Sequence, residues 1–279
     1  MSVTAARRPL AQGALTIPRP VPGAAVRLFL FHHAGGSHLL YQGWESAFPA
    51  DWEVCLLDAP GHGHLRGDPL IDTGDGLVDF FLHQLEPWTD RPYAFFGHSM
   101  GALVAYELTR RLANAGQHPP VWTGLSSCAA PSPAEQTQAP HPSTQAQLRD
   151  WLRSTGGTPA EILDTPCLWR LFEPVLRNDI ALVNTWRPAP DTTPLPVAVS
   201  AFGGTQDTVV RKERLAAWAA HTQRFHGPHL YHGGHFYLHT HAHSVAGRII
   251  EAVTANRTTP APPTPQGKPL RGHSPCRTP

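Results

Sequence analysis

Five residues, Gly97-His98-Ser99-Met100-Gly101, constrain what this chain can fold into more than any other stretch. An apolar run, Tyr93 to Phe96, leads in, and a helix-forming run, Ala102 to Leu112, leads out. The pattern G-x-S-x-G between a strand and a helix marks a serine on a sharp turn at the top of a sheet. The two glycines suit such a turn, because it presses backbone against backbone and leaves no room for a Cβ. Ser99 Oγ would then stand exposed. The first turn of the helix, with its free N–H groups and partial positive charge, would face whatever that oxygen attacks. A five-residue pattern also recurs by chance and can be purely architectural. The rest of the chain has to supply a base, an acid and a second N–H donor.

The flanking segments read as a parallel α/β sheet. Val26 to Phe31 is apolar enough for a buried strand and ends in the glycine-rich loop His32-His33-Ala34-Gly35-Gly36-Ser37. Hydrolases with this turn take one oxyanion donor from a loop after an early strand. Ala34 N–H is therefore expected to join Met100 N–H, the first after the nucleophile; the alternative is an ordinary glycine turn. Trp52 to Asp58 reads as the next strand and empties into Ala59-Pro60-Gly61-His62-Gly63-His64, a turn that Pro and Gly enforce. His62 and His64 have no acid or cysteine beside them and read as surface turn residues rather than metal ligands. Residues 73–88 carry apolar side chains at near-helical spacing, and Val104, Leu108 and Leu112 form one stripe on the helix after Ser99. Val121 to Ser127 is a further strand. Strands that are apolar almost throughout belong to a parallel sheet covered on both faces.

After Pro131 this rhythm breaks. Prolines hold an irregular connection, followed by amphipathic pieces at Gln145–Ser154 and Leu168–Asn178 with Gly156-Gly157-Thr158-Pro159 between them. The insertion starts just past a strand's C-terminal end, where open α/β sheets bind ligands. Residues 131–190 are read as a helical lid, the alternative being a plain helical decoration. Val197 to Phe202 resumes the sheet, Leu215 to Ala220 is a helix, Leu230 to His232 a short strand and Ser244 to Val253 a final helix. The fold class is α/β: an α/β-hydrolase fold, with a mostly parallel sheet, helices on both faces and a helical lid insertion. It would span residues 24–255. Residues 1–23 are expected to be a loose arm, and the proline-rich residues 256–279 a disordered tail.

Three residues follow strand ends in the chain order Ser99, Asp207, His235, the order expected of this fold. A serine hydroxyl is a weak nucleophile until a base takes its proton. A histidine titrates near neutrality, so His235 could take that proton and return it to the leaving group. Asp207 would hold the imidazole tautomer and stabilise its charge. Asp207 could instead only cap the next helix, and Asp191 lies in a proline-rich linker. Among 18 histidines, His229, His232, His239, His241 and His243 compete with His235; Gly233-Gly234 before it favours a loop that can carry the ring over the sheet edge. His98 reads as a packing or loop-orienting residue. The pattern calls for no cofactor and no metal ion.

A formal net charge of +1 gives no global field to draw in nucleic acid or an anionic membrane. No apolar run is long enough to span a bilayer, and Arg7 and Arg8 precede no signal-like segment. Cys55, Cys128, Cys167 and Cys276 lack paired spacing, which is read as a reduced, cytoplasmic protein.

With these residues in hand the chain resembles the type II thioesterases, the stand-alone editing hydrolases of polyketide and non-ribosomal peptide synthesis. The resemblance rests on Phe31 to Ser37, Asp58 to Gly63, Gly97 to Gly101, Gly156 to Leu163, Leu176 to Asp179, Ala201 to Asp207 and Gly233 to Phe236. It departs at His62, where the family usually has arginine, and at Gln206, where a second acid is common. His62 puts in doubt the ion pair that the arginine would make. The resemblance implies a substrate: an acyl group in thioester linkage to the phosphopantetheine arm of an acyl or peptidyl carrier protein. Arg211, Lys212 and Arg214 could face such a carrier, but read more simply as solvated helix charges. An oxygen-ester hydrolase, an acyltransferase or cyclase, and a non-catalytic binding module of the same fold are the alternatives.

Overall fold

Nine strands run through the computed structural model, which describes residues 9–131, 144–186 and 193–257. They are β1 (Leu10–Gln12), β2 (Leu15–Ile17), β3 (Val26–Phe31), β4 (Trp52–Leu57), β5 (Tyr93–His98), β6 (Trp122–Ser126), β7 (Leu195–Gly204), β8 (Thr222–Phe225) and β9 (His229–Tyr231). The helices are α1 (Gly74–Leu85), α2 (Met100–Asn114), α3 (Gln145–Thr155), α4 (Ala160–Asp164), α5 (Pro166–Thr185), α6 (Lys212–Ala216) and α7 (Leu238–Arg257).

The strands lie in the order β1-β2-β4-β3-β5-β6-β7-β8, with β9 also paired to β7. Every pairing from β4 onward is parallel. All residues of β3, β4, β5 and β6 are buried, as their unbroken apolar sequence requires when both faces of a parallel sheet are covered. Alternate residues serve opposite faces. Phe29, Phe31 and Phe95 pack with Leu77, Val78 and Phe81 of α1 and Val104 and Leu108 of α2. Leu28, Leu30 and Phe96 pack with Trp44 and with Val245, Ile249 and Val253 of α7.

The order of the central strands positions the site. From β3 the chain crosses to β4 on one side and then to β5 on the other, so the crossovers diverge at the β3/β5 pair, where Phe31 lies opposite Gly97. The loops after these two strands open at the C-terminal edge, the ligand-binding position of open α/β sheets.

Helices α3, α4 and α5 fall between β6 and β7, inside the insertion expected at 131–190. They share a small core of Leu148, Leu152, Leu163, Trp169, Leu176 and Ile180. Ala34, from the loop after β3, packs against that core. Residues 132–143 and 187–192, with Asp191 among them, lie outside the described residues.

Two expectations need correction. Residues 10–17 are not part of a loose arm. They form a hairpin whose second strand pairs antiparallel with β4, Leu15 opposite Leu57 and Thr16 opposite Leu56. Ala14, Leu15 and Ile17 are buried, and Ala14 is tied at both ends, its N–H donating to Gln84 Oε1 and its carbonyl accepting from Asp58 N–H. The prolines after it masked three residues, Ala14, Leu15 and Ile17, with enough apolar surface to dock. Nor does the tail begin at Asn256. Helix α7 runs to Arg257, and Asn256 is buried, its Oδ1 accepting from Arg224. Residues 1–8 and 258–279 lie outside the described residues.

Candidate active site

Ser99 sits at the turn between β5 and α2 with φ 56° and ψ −115°. This backbone is strained for a residue with a side chain, at a cost on the order of 1–3 kcal/mol. Its neighbours hold it there. Ser99 N–H donates to Ser126 O at the end of β6 at 2.8 Å. A Cβ on Gly97 would collide with the backbone of Gly101, and one on Gly101 with the carbonyls of Phe31 and His32. The glycines thus let α2 rest directly on the ends of β5 and β3. Ser99 is half-buried and Met100 buried.

Asp207 follows β7, and His235 follows β9. A Cβ on Gly204 would strike the carbonyl of Gly234, so glycine at 204 lets the histidine loop cross the end of β7. Gln206 N–H donates to Gly233 O at 2.8 Å and fixes the crossing. The carboxylate of Asp207 divides its work. Oδ1 accepts from Val209 and Val210 N–H at 2.8 and 2.9 Å, and Oδ2 accepts from His235 Nδ1 at 2.9 Å. Asp207 thus orients the imidazole and closes the turn after β7, whereas the next helix, α6, starts at Lys212 with Arg211 as its N-cap and takes no cap bond from it. Burial would raise the Asp207 pKa, but the hydrogen bond and charge of His235 and the two N–H groups hold it below the ordinary value.

A carboxylate at Nδ1 requires that nitrogen to carry the proton, which leaves the lone pair of His235 on Nε2. Ser127, also in the left-handed region with φ 45°, donates through Oγ to His235 O at 3.2 Å and anchors the loop to β6. The His98 ring, one residue before Ser99, lies 5.1 Å from the His235 ring between centroids. Asp207, His235 and the Ser99 turn thus meet at one rim. The row is not closed, however. Among the described residues no hydrogen bond joins Ser99 Oγ to His235, and the two loops meet at the His98 and His235 rings.

His98 is the loop-orienting residue expected of it. It is buried, and its Nδ1 bonds Ser126 Oγ at 2.8 Å, which in turn meets Tyr237 OH at 2.7 Å. Burial, then the nearby histidines, push its pKa well below the ordinary value, so near neutrality it is a poor second base.

On the other side of Ser99 lies the loop after β3. Neither Ala34 N–H nor Met100 N–H is spent on a protein acceptor among the described residues. The loop is pinned by side chains that the sequence did not assign. His32 Nδ1 donates to His33 O at 2.7 Å, while its Nε2 accepts from Ala59 N–H at 3.2 Å. That pairing fits only a neutral ring, and burial first, then His62, lowers its pKa to about 3. His62 is the clearest departure from expectation. It is not a surface residue but is buried, and it makes an ion pair with Asp179 of α5, Nε2 to Oδ2 at 2.9 Å. Asp179 Oδ2 also accepts from Gly35 N–H at 2.7 Å. The sequence signal for this pair was the family's arginine at position 62 and the ion pair it would make; His62, which put that pair in doubt, makes one itself.

The helical layer reaches the site from two directions. A Cβ on Gly35 would press on Leu176 and Phe172 of α5, and one on Gly157, between α3 and α4, on Phe236 beside His235. A cavity of about 260 Å³ opens between the loop after β3, the His62 turn and the exposed flank of α5, with Ile162, Leu168 and Phe172 in its wall. No helix among the described residues is long and apolar enough to cross a membrane.

Comparison with known proteins gives the family. The family model described as a thioesterase domain matches residues 26–253. The linear gramicidin dehydrogenase LgrE of Brevibacillus parabrevis is 32% identical over 241 residues, which covers 85% of this chain and 91% of LgrE. Thioesterase PikA5 of Streptomyces venezuelae is 31% identical over 242 residues, covering 86% and 85%. Among solved structures, the type II thioesterase BorB from the borrelidin biosynthetic cluster superposes with a TM-score of 0.78 at 29% identity, covering 88% of this chain and 99% of BorB. The chain belongs to the thioesterase family, as one of its type II members, and is an enzyme of the α/β-hydrolase fold.

Proposed function

We propose that this chain releases acyl or aminoacyl groups from the phosphopantetheine arm of an acyl or peptidyl carrier protein, as an editing thioesterase of polyketide or non-ribosomal peptide synthesis. One observation carries the reading: a serine on a strained turn at the same rim as a buried imidazole whose Nδ1 is already committed to a carboxylate. His235 Nε2 takes the Ser99 proton as Oγ adds to the thioester carbonyl, and Asp207 stabilises the imidazolium. Met100 and Ala34 N–H hold the oxyanion, each such donor being worth about 3 kcal/mol in the barrier. The thiol leaves with the proton from His235, and a water activated by the same ring then frees the acid. Helices α3–α5 act as the lid. Their contacts at Gly35 and Phe236 support this, since a cover over the acyl-enzyme keeps stray acceptors out.

The gramicidin relative's name speaks of a dehydrogenase. The His235–Asp207 pair at the rim that carries the Ser99 turn supports acyl-transfer chemistry instead. Hydrolysis of a panel of acetyl-, propionyl-, longer acyl- and aminoacyl-carrier proteins, against matched oxygen esters, tests the reading. Wild type should prefer the carrier thioesters and react with a fluorophosphonate at Ser99. Ser99→Ala should lose both hydrolysis and labelling while staying folded. Retained turnover in Ser99→Ala sinks the mechanism, and a preference for oxygen esters sinks the substrate.

A further inference from the structure

The direction of Ala34 N–H is set by groups on either side of it. A trans peptide is planar, so fixing its carbonyl fixes the N–H on the other side. The carbonyl of His33, in the peptide that carries Ala34 N–H, accepts from His32 Nδ1 at 2.7 Å and from Gly36 N–H at 2.9 Å. The next peptide is held at both ends. Ala34 O accepts from His33 Nδ1 at 2.8 Å, and Gly35 N–H donates to Asp179 Oδ2 at 2.7 Å. Three of these four bonds come from within the loop and its strand end. The fourth comes from α5, 144 residues further along the chain.

Asp179 does not stand alone. The same oxygen accepts from His62 Nε2 at 2.9 Å, and His62 Nδ1 faces Pro60 O at 3.0 Å. A carbonyl and a carboxylate can only accept. Both ring nitrogens must then carry protons, and the ring is an imidazolium. The side chains are 2% and 3% exposed, so a carboxylate left here without its counter-charge is costly.

We propose that His62 and Asp179 are positioning residues for the oxyanion loop, and that protonated His62 is the form that holds Gly35, and through it Ala34 N–H, in line with Met100 N–H. The inference rests on the oxyanion assignment of the preceding subsection. The surroundings of His62 support it. From α5 comes Asp179. From the end of β4 comes Asp58, which is itself occupied by the His38 ring at 2.7 Å and by the N–H groups of His38 and His64, with the His64 ring stacked on that of His38. From the loop after β3 comes His32, its ring centroid 4.8 Å away and its ring neutral. Burial opposes the charge on His62, but the hydrogen bond and charge of Asp179, the Pro60 carbonyl and Asp58 together raise its pKa above the ordinary 6.5.

The sign follows. Below that raised value the clamp is set. As pH rises through it, His62 loses a proton, its charge no longer balances the buried Asp179 carboxylate, and the hold of that carboxylate on Gly35 loosens. An oxyanion exists only from the transition state onward, so the loss falls on kcat and spares KM.

The test uses the full chain, with kcat and KM measured across pH on a propionyl-carrier thioester. Wild-type kcat should fall on the alkaline side. His62→Gln should lower kcat at neutral pH by about 10- to 100-fold with KM within about two-fold, the size expected for a weakened oxyanion donor. His62→Arg, which cannot lose its proton, should recover most of what His62→Gln loses and move the alkaline limb up by about one pH unit or more. An alkaline limb unmoved in His62→Arg, or full kcat in His62→Gln, overturns the proposal. Should His62→Gln fail to fold, the nitrogen resonances of His62 in the wild-type chain decide: both nitrogens protonated at pH 7 supports the clamp, and a neutral ring refutes it. Failure of the triad reading looks different, because it appears as turnover surviving in Ser99→Ala whatever happens at His62.

Discussion

At position 207 one carboxylate serves two ends of the site, and a single-atom change separates its roles. In Asp207→Asn, Oδ1 can still accept from Val209 and Val210 N–H, so the turn should stand. The amide nitrogen would then face His235 Nδ1 as a donor. It would turn the imidazole to the tautomer that places its proton on Nε2, towards the serine, where the lone pair is needed. We expect kcat to fall by roughly 10³- to 10⁴-fold with an unchanged melting temperature, read from single-turnover kinetics and circular dichroism; near-wild-type turnover would remove Asp207 from the mechanism. These residues were legible because their chemistry is written locally: a serine between spaced glycines, an acid after a strand, a histidine after Gly-Gly. His62 and Asp179 were not. Their partnership spans 117 residues, and a histidine in a Pro-Gly turn carries no sign that a helix from the insertion will bury it.

Among the elements, the hairpin β1–β2 shows where composition misleads. Its neighbours in the sequence are proline-rich, yet Leu15 is 2% exposed and packs into the same cluster as Phe31 and Leu57. Leu15→Ala should cost about 2–4 kcal/mol of stability, seen as a lower urea midpoint, while kcat holds in the folded fraction. A midpoint unchanged from wild type would mean that the hairpin only rests on the sheet. The central strands were readable because burial on both faces leaves unbroken apolar runs. Short or edge elements were not. Strand β8 has four residues of which only Thr222 is buried, and the long α5 continues through Pro174 to Thr185 although proline usually ends a helix. Tertiary packing of Trp169, Leu176 and Ile180 outweighs that local cost.

For the whole molecule, the histidines around the site make stability a function of pH. His32 and His33 have folded pKa values lowered to about 3 and about 4, first by burial, and His98 is shifted the same way. A lowered histidine keeps its full contribution above the unfolded value of 6.5 and loses it as pH falls towards the folded one. Each such ring should remove about 1.4 kcal/mol of stability per pH unit in that window. His62, shifted upward, acts oppositely: its contribution is complete below 6.5 and fades at higher pH. Chemical denaturation at pH 7 and pH 5 should therefore show a marked loss on the acid side. Equal stability at the two values would mean that these rings are hydrated.

Gly101 carries the last consequence. Because α2 touches the end of β3 with no side chain between them, the distance from the start of α2 to the end of that strand is set by backbone packing, and the side chains around the loop after β3 are left only to aim its peptides. A wall residue of the cavity of about 260 Å³, such as Leu168, can therefore be exchanged without moving that backbone contact, so cargo preference and the seating of the Ser99 turn are separable by mutation.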